Sequence, residues 1–290
     1  MNATTLTTVR SSTARMPVNK KNSAPGAEKF TFSAIGVIES SAQYHYEAPR
    51  QAVYAGTGAF LRWHEKIYHD CAVDLTGFAR IILLWVFNQN KHDNWHVKVQ
   101  VPVPAERDMY SVFATRSPYR PNPIGMSVVE LRAITPEGLL LGPCDLLDGT
   151  AVLDVKPYIP EVDAFIDSAA GWRDHIDRRK YDIVWNAQAL EQSDFILERL
   201  DLDLQNFCTV QLSFRPTDRR RKRLTPTDAA EQWILHCRTW QIIFELHENI
   251  SQIEIKEIRS NYSHEDLIAG AADPYKDKET HREFIRYYKD

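Results

Sequence analysis

Through the first half of the chain apolar positions recur with a period near two, cut at short intervals by Gly, Pro and Asp, which predicts strands rather than long helices. Phe32, Ala34, Gly36 and Ile38 alternate with Thr31, Ser33, Ile35 and Val37, predicting a first strand. The run Ala79 to Phe87 is apolar on both faces, as in a central strand covered on both sides. Prolines at 102, 104, 118 and 121 keep Val101 to Asn122 out of regular helix. Ser127 to Ile134 and Leu139 to Leu147 flank Thr135-Pro136-Glu137-Gly138, a composition suited to a tight turn. A further alternating run over Gly149 to Ile159 extends these two into a meander, so the region reads as an antiparallel sheet or barrel.

Beyond Pro160 the pattern changes. A charged stretch, Trp172 to Lys180, precedes a predicted helix over Tyr181 to Leu200, on which Ile183, Ala187, Leu190, Leu197 and Leu200 recur at near-helical spacing. Strands are expected at Phe207 to Phe214 and Trp233 to Leu246, and a short helix at Glu279 to Tyr288. The expected organisation is a disordered extension over 1–29, a barrel over 30–165 and a smaller α+β unit over 166–290. The extension is rich in Ser, Thr, Ala, Asn and Lys with few acids, so an organellar transit peptide is its alternative reading.

Composition narrows the function. The 290 residues carry a formal charge of -4, which gives no global attraction for nucleic acid, so any RNA contact has to come from a local patch. Cys71, Cys144, Cys208 and Cys237 lie far apart, and His64, His69, His92 and His96 match no zinc spacing, so no metal is expected. The apolar run Ile81 to Phe87 is too short to span a bilayer, and residues 1–29 lack the apolar stretch of a secretory signal; a cytoplasmic protein without a membrane anchor is expected.

The densest chemistry lies in Phe113-Ala114-Thr115-Arg116-Ser117-Pro118-Tyr119-Arg120-Pro121-Asn122-Pro123-Ile124-Gly125-Met126-Ser127. Two arginines four apart sit in a stiff, proline-rich backbone that fixes several polar groups before a strand restarts. On composition alone a structural hairpin with surface arginines fits equally well.

Together with Asp145-Leu146-Leu147-Asp148-Gly149-Thr150-Ala151 and the run that follows to Pro160, that window resembles the signature of the TsaA/TrmO family of tRNA methyltransferases. Ile35-Gly36-Val37-Ile38-Glu39, Ala48-Pro49-Arg50-Gln51 and Leu84-Trp85-Val86-Phe87-Asn88-Gln89 follow the family's order. The resemblance implies a mainly β chain: an antiparallel, non-Rossmann barrel that binds S-adenosyl-L-methionine (SAM), with a smaller C-terminal α+β unit. It implies a homodimer with SAM near the subunit boundary, and methyl transfer to N6 of threonylcarbamoyladenosine beside the anticodon of tRNA. In keeping with it, no GxGxxG motif occurs.

By the family pattern the cofactor site maps to Pro49, Arg50, Gln51, Asn88, Gln89, Arg116, Asp148, Gly149 and Thr150, with Met126 and Ser127 close by. Asn88 stands where the family often has His, and Ala151 where it often has Pro. These residue types suit a ligand with an adenine edge, hydroxyls, a carboxylate and an ammonium. The accepting nitrogen is weakly basic, so a general base helps; Asp145 and Asp148 are the candidates, with Asp154 behind them, and turn-capping or surface carboxylates are the alternative. Arg120, Asn122, Lys156, Tyr158 and the basic run Arg219, Arg220, Arg221, Lys222 and Arg223 are candidates for contact with the tRNA anticodon loop, although basic runs are usually solvated. A noncatalytic SAM-sensing or RNA-binding module on the same barrel is the rival reading, and a methyltransferase for another substrate a third.

Overall fold

The computed structural model describes residues 28–48, 52, 56–90, 95–101, 107, 109–176, 179–219, 222–229, 231–268 and 272–288. The segment 1–27, which holds most of the expected extension, lies outside them.

Six strands close into a barrel in the order β1-β2-β7-β6-β3-β8, every neighbour antiparallel. They are β1 (Gly36–Glu39), β2 (Gly58–Trp63), β3 (Arg80–Val86), β6 (Ile124–Thr135), β7 (Gly138–Pro143) and β8 (Ala151–Pro157). Two short strands, β4 (Lys98–Gln100) and β5 (Met109–Ser111), form a separate ribbon, and a helical turn, α1 (Ile67–Asp70), follows β2. The alternation read in the sequence becomes the inside and outside of the barrel: Ile38, Leu61, Ile81, Leu83, Val129, Leu139, Leu141 and Val152 are buried in one cluster. β3 sits between β6 and β8, while Ile82 and Leu84 on its outer face are only partly covered.

The expected meander holds for a single hairpin. β6 and β7 pair across the Pro136-Glu137 turn, but β8 does not join β7; it crosses to lie between β1 and β3. The closure between β1 and β8 is short, over Gly36↔Val152 and Val37↔Ala151. Period-two pattern reports which face is buried and carries no information on which neighbour a strand chooses.

After the helical turn α2 (Pro160–Asp163) the chain builds a second sheet. Its order is β10 (Leu224–Pro226), β11 (Gln232–Cys237), β12 (Trp240–His247), β13 (Gln252–Ser260) and β9 (Asp182–Trp185), with β9 parallel to β13. Helices α3 (Ala187–Leu200), α4 (Leu204–Leu212) and α5 (Lys278–Tyr287) complete this unit. Its core gathers Ile196, Leu204, Phe207, Leu212, Leu235, Trp240, Phe244, Ile253 and Ile255.

Two elements here differ from the sequence expectation. The predicted helix from Tyr181 begins only at Ala187, because Ile183 and Trp185 pair with β13 and Asn186 Oδ1 then caps the helix by accepting from the Ala189 amide at 2.8 Å. The predicted strand Phe207 to Phe214 is helix α4 instead. Asp203 Oδ1 accepts from the Asn206 amide at 2.8 Å, and Leu204, Phe207, Cys208 and Leu212 are buried at helical spacing. The β-branched and aromatic content favoured a strand, and the cap with a one-sided apolar stripe overrode it. The predicted strand Trp233 to Leu246 is the β11–β12 hairpin, turning at Arg238-Thr239. Among the described residues no helix is long and apolar enough to cross a membrane.

Candidate functional site

Four connections gather the sequence-predicted segments at one end of the barrel. The Phe87 amide donates to Pro123 O at 2.9 Å, tying the turn after β3 to the end of the arginine- and proline-rich loop. Asn88 Nδ2 donates to Gly149 O at 2.9 Å, tying the same turn to the Asp-Gly-Thr corner. Trp85 Nε1 donates to Ser127 Oγ at 3.1 Å. Arg116 lies close enough to Asp145 to act on its ionisation. The loop is stiffened from within as well: Thr115 Oγ1 donates to Val112 O at 2.8 Å and accepts from the Ser117 amide at 3.2 Å.

Two glycines are required by this geometry. A Cβ on Gly125 would stand 2.3 Å from the Trp85 ring, so only glycine lets that indole lie flat across β6 and reach Ser127. Gly149 has φ +72, the left-handed region, with open space where a side chain would be. Its value is therefore the turn it permits, which aims the Gly149 carbonyl at Asn88.

The carboxylates divide. Asp145 is half-buried at the loop after β7, and its Oδ1 is buried without a hydrogen-bond partner among the described residues. Burial pushes its acid up, and Ser127, the Ala52 amide and Arg116 only temper the rise. Asp148 is exposed and occupied: its Oδ1 accepts from the Ser40 amide at 3.2 Å, while its own amide donates to Ala42 O at 2.8 Å. Thr150 is buried, with Oγ1 donating to Leu147 O at 2.7 Å, so it locks the corner. Asp154 is exposed toward solvent beside Lys156, whose Nζ is 2.7 Å away.

The predicted residues differ in exposure. Gln89, Arg116 and Asn122 are exposed, and Arg120 is partly so. Met126 is exposed while Ser127 is buried, since successive residues of β6 face opposite sides of the barrel wall. Tyr158 is half-buried beyond β8. In the basic run, Lys222 Nζ donates to Arg215 O at 2.7 Å and to Phe214 O, which commits it to the fold. Arg223 stacks 4.9 Å over the Tyr46 ring, and Arg219 is exposed. Pro49, Arg50, Gln51, Arg220 and Arg221 lie outside the described residues, as does His92.

Two features were missed by the sequence reading. Trp85 serves as a hydrogen-bonding plate between β3 and β6, which its place in an apolar run concealed. Asn90, one residue past the predicted pair, has a buried Nδ2 without a partner among the described residues; only the polar density of the turn hinted at it. Elsewhere, Glu245, His247 and Glu254 bring ligand-type atoms within 4.8 Å of one another. Lys256 Nζ stands 3.6 Å from Glu245 and 3.1 Å from Glu254, so an ammonium already balances that cluster. A cleft of about 560 Å³, lined by Tyr44, Arg199, Asp201, Arg238, Tyr275 and Lys276, shares no residue with the four connections.

The residues suit SAM in three respects: an orphaned buried carboxylate oxygen, a corner at positive φ with open space above it, and amide and guanidinium donors around both.

Residues 37–164 match the model of the tRNA-methyltransferase O N-terminal domain. The tRNA (adenine(37)-N6)-methyltransferase of Escherichia coli is 33% identical over 199 residues, 67% of this chain and 84% of that protein. An S-adenosyl-L-methionine-binding protein of Archaeoglobus fulgidus is 35% identical over 129 residues, 44% of this chain and 89% of its own length. The crystal structure of TrmO from Pseudomonas aeruginosa superposes with a TM-score of 0.57 at 25% identity, over 80% of this chain and 99% of that one. The match to the E. coli enzyme over most of its length, on a barrel of this topology, places the chain in the tRNA-methyltransferase O (TsaA/TrmO-like) family.

Proposed function

We propose that this protein is a SAM-dependent methyltransferase acting on N6 of adenosine 37 in tRNA, with threonylcarbamoyladenosine as the accepting nucleoside. The observation that carries the reading is the junction of Asn88, the Asp148–Thr150 corner and the Arg116 loop around Asp145, a carboxylate with one oxygen left open. In this reading the barrel over 30–165 holds the cofactor and the unit over 166–290 helps present the tRNA. Exposed Ile124 and Met126 on the outer face of β6, with Phe113 before it, offer apolar surface beside the site and support a homodimer. The enzyme works on tRNA in the cytoplasm.

When bound, SAM supplies a methyl group on a cationic sulfonium, so no protein nucleophile is needed. Arg116 and, from the segment preceding Ala52, Arg50 are suited to the methionine carboxylate. Asn88 orients the Gly149 carbonyl, which leaves that corner shaped before ligand arrives. Asp145 takes the proton from the accepting nitrogen; its pKa, raised by burial, lies nearer to working pH than that of an exposed aspartate. Trp85 and Ser127 wall the site from the barrel interior and keep water out. Arg120, Asn122, Lys156, Tyr158, Arg219 and Arg223 are left for contacts to the anticodon loop, with Lys222 bracing the loop that carries two of them.

The test is mass spectrometry of tRNA nucleosides from cells lacking the protein, with methylation restored in vitro by purified enzyme and SAM. Loss of the N6-methylated threonylcarbamoyladenosine in the deletion, and its return on addition of enzyme, is expected. Unchanged nucleosides in the deletion would refute the reading.

A further inference from the structure

The β1–β2 connection is held at both ends of its described part by groups far away in sequence. At its start it is zipped to the candidate site: Ser40 Oγ donates to Leu146 O at 3.0 Å, the Ser40 amide to Asp148 Oδ1 at 3.2 Å, and the Asp148 amide to Ala42 O at 2.8 Å. Next, Glu47 closes a turn, its Oε2 accepting from the amides of Gln43 at 2.9 Å and Tyr44 at 3.2 Å. Further on, Ala52 presents its amide to Asp145.

The turn at Glu47 is gripped from the C-terminal sheet. Arg238 Nε donates to Glu47 Oε1 at 2.6 Å and Nη2 to Oε2 at 3.0 Å, a two-pronged pair with side-chain exposures of only 9% and 6%. The same guanidinium lies 5.3 Å over the Tyr44 ring, which stacks on Tyr46 at 5.5 Å with an interplanar angle of 6°. Arg238 occupies the β11–β12 turn with φ 49, a backbone region where glycine or asparagine would be relaxed. A long cationic side chain in that place points to a use for the guanidinium itself. Surface burial alone would not ask for it, since two apolar side chains would cover the junction as well.

We propose that Arg238 is a positioning residue for methyl transfer: by clamping Glu47 it fixes the 40–47 segment against the Leu146–Asp148 corner, and so couples the C-terminal unit to cofactor binding in the barrel. The inference rests on the SAM-site reading above. Its consequence is specific. Loosening the clamp weakens SAM binding and slows transfer, and changes the affinity for tRNA little, because of the candidate RNA contacts among the described residues Arg223 alone, 4.9 Å over the Tyr46 ring, touches the clamped segment.

The experiment uses the full chain and two variants. Removing one partner alone would strand a buried charge and endanger folding, so the main variant is the uncharged pair Glu47→Gln with Arg238→Met; the second is Arg238→Lys, which keeps the charge and loses the fork. Thermal unfolding establishes that each is folded, calorimetry gives the SAM dissociation constant, and steady-state methylation separates kcat from the KM for tRNA. The uncharged pair is expected to bind SAM about tenfold more weakly with tRNA KM within twofold of wild type, and Arg238→Lys to fall between the two. Should the uncharged pair fail to fold, Arg238→Lys decides alone: SAM affinity weakened about threefold supports the clamp, and native affinity refutes it. Native SAM affinity and kcat in a folded uncharged pair, or a loss confined to tRNA KM, would also overturn it. The two proposals fail separately. A wild-type protein that binds SAM but methylates no tRNA removes the proposed substrate and leaves the calorimetric test intact, whereas a wild-type protein that binds no SAM removes both before any variant is made.

Discussion

Asp145 in the barrel and Asp277 in the C-terminal unit are both withdrawn from water, and they are treated oppositely. Asp277, 2% exposed, has every oxygen engaged: Thr239 Oγ1 donates to Oδ2 at 2.5 Å and Tyr262 OH to Oδ1 at 2.9 Å, with His281 Nε2 3.5 Å from Oδ2. His281 is itself bonded to Ser260 and stacked on Trp240 at 3.7 Å. Burial pushes the Asp277 acid up, but the bonds from His281, Thr239 and Tyr262 outweigh it and hold the carboxyl below the usual range. Asp145 meets Ser127, its own amide and the Ala52 amide, keeps Oδ1 unpartnered among the described residues, and rises instead because burial outweighs them. A satisfied carboxylate holds a fold together, whereas an unsatisfied one costs stability and is worth retaining for what it does to a ligand.

The largest effect expected of this contrast is on rate. Asp145→Asn should slow methyl transfer by about 10²- to 10⁴-fold, the range for a lost general base, while the melting temperature holds or rises. Single-turnover transfer from labelled SAM checks it, and a native rate would erase the distinction between the two aspartates. Asp277→Ala should do the reverse. Stranding its partners costs about 3 kcal/mol, a fall of about 6–12 °C in Tm by calorimetry, with SAM affinity at low temperature unchanged.

Acid should separate the two sites along the pH axis. Asp145 is raised in the fold, so its ionised form is disfavoured there; activity falls as pH drops through that raised value, and protonation relieves strain on the native state. Asp277 is lowered in the fold, so its contribution is complete above the unfolded-state value and is lost only as pH falls through the depressed one. Inactivation should therefore precede acid unfolding, and a pH–rate profile overlaid on a circular dichroism titration tests the order. The smallest effect belongs to Asn88→Ala, which removes one hydrogen bond to Gly149, about 1 kcal/mol, or roughly a fivefold loss of SAM affinity.

Strand existence was legible: Ala79 to Phe87 and Ser127 to Ile134 do hold strands, although the first, expected to be covered on both sides, leaves Ile82 and Leu84 only partly covered. Pairing was not, since β8 beside β1 and β3 depends on closure of the whole barrel. Phe207 to Phe214 misled because local propensity there opposes the packing that wins. At the site, the proline-rich loop and the Asp148–Thr150 corner stood out as unusual local composition, and Asn88 could be named from its motif. The Asp145–Asp148 difference could not, because it lies in which oxygen another segment reaches. Glu47 and Arg238, 191 residues apart, leave no local trace at all.

The brief seam between β1 and β8 has a dynamic corollary. A closed cylinder opens most readily along its shortest seam, and here that seam is the two pairs through Val37 and Ala151, flanked by bonds from the Ile35, Ile38 and Gly149 amides, directly beneath the Asp148–Thr150 corner. Amides along this join should exchange with deuterium well before those of β3, which is paired along its length on both flanks. Breathing of the barrel would then be concentrated beside the proposed SAM site, where a bulky nucleoside would have to be admitted and released.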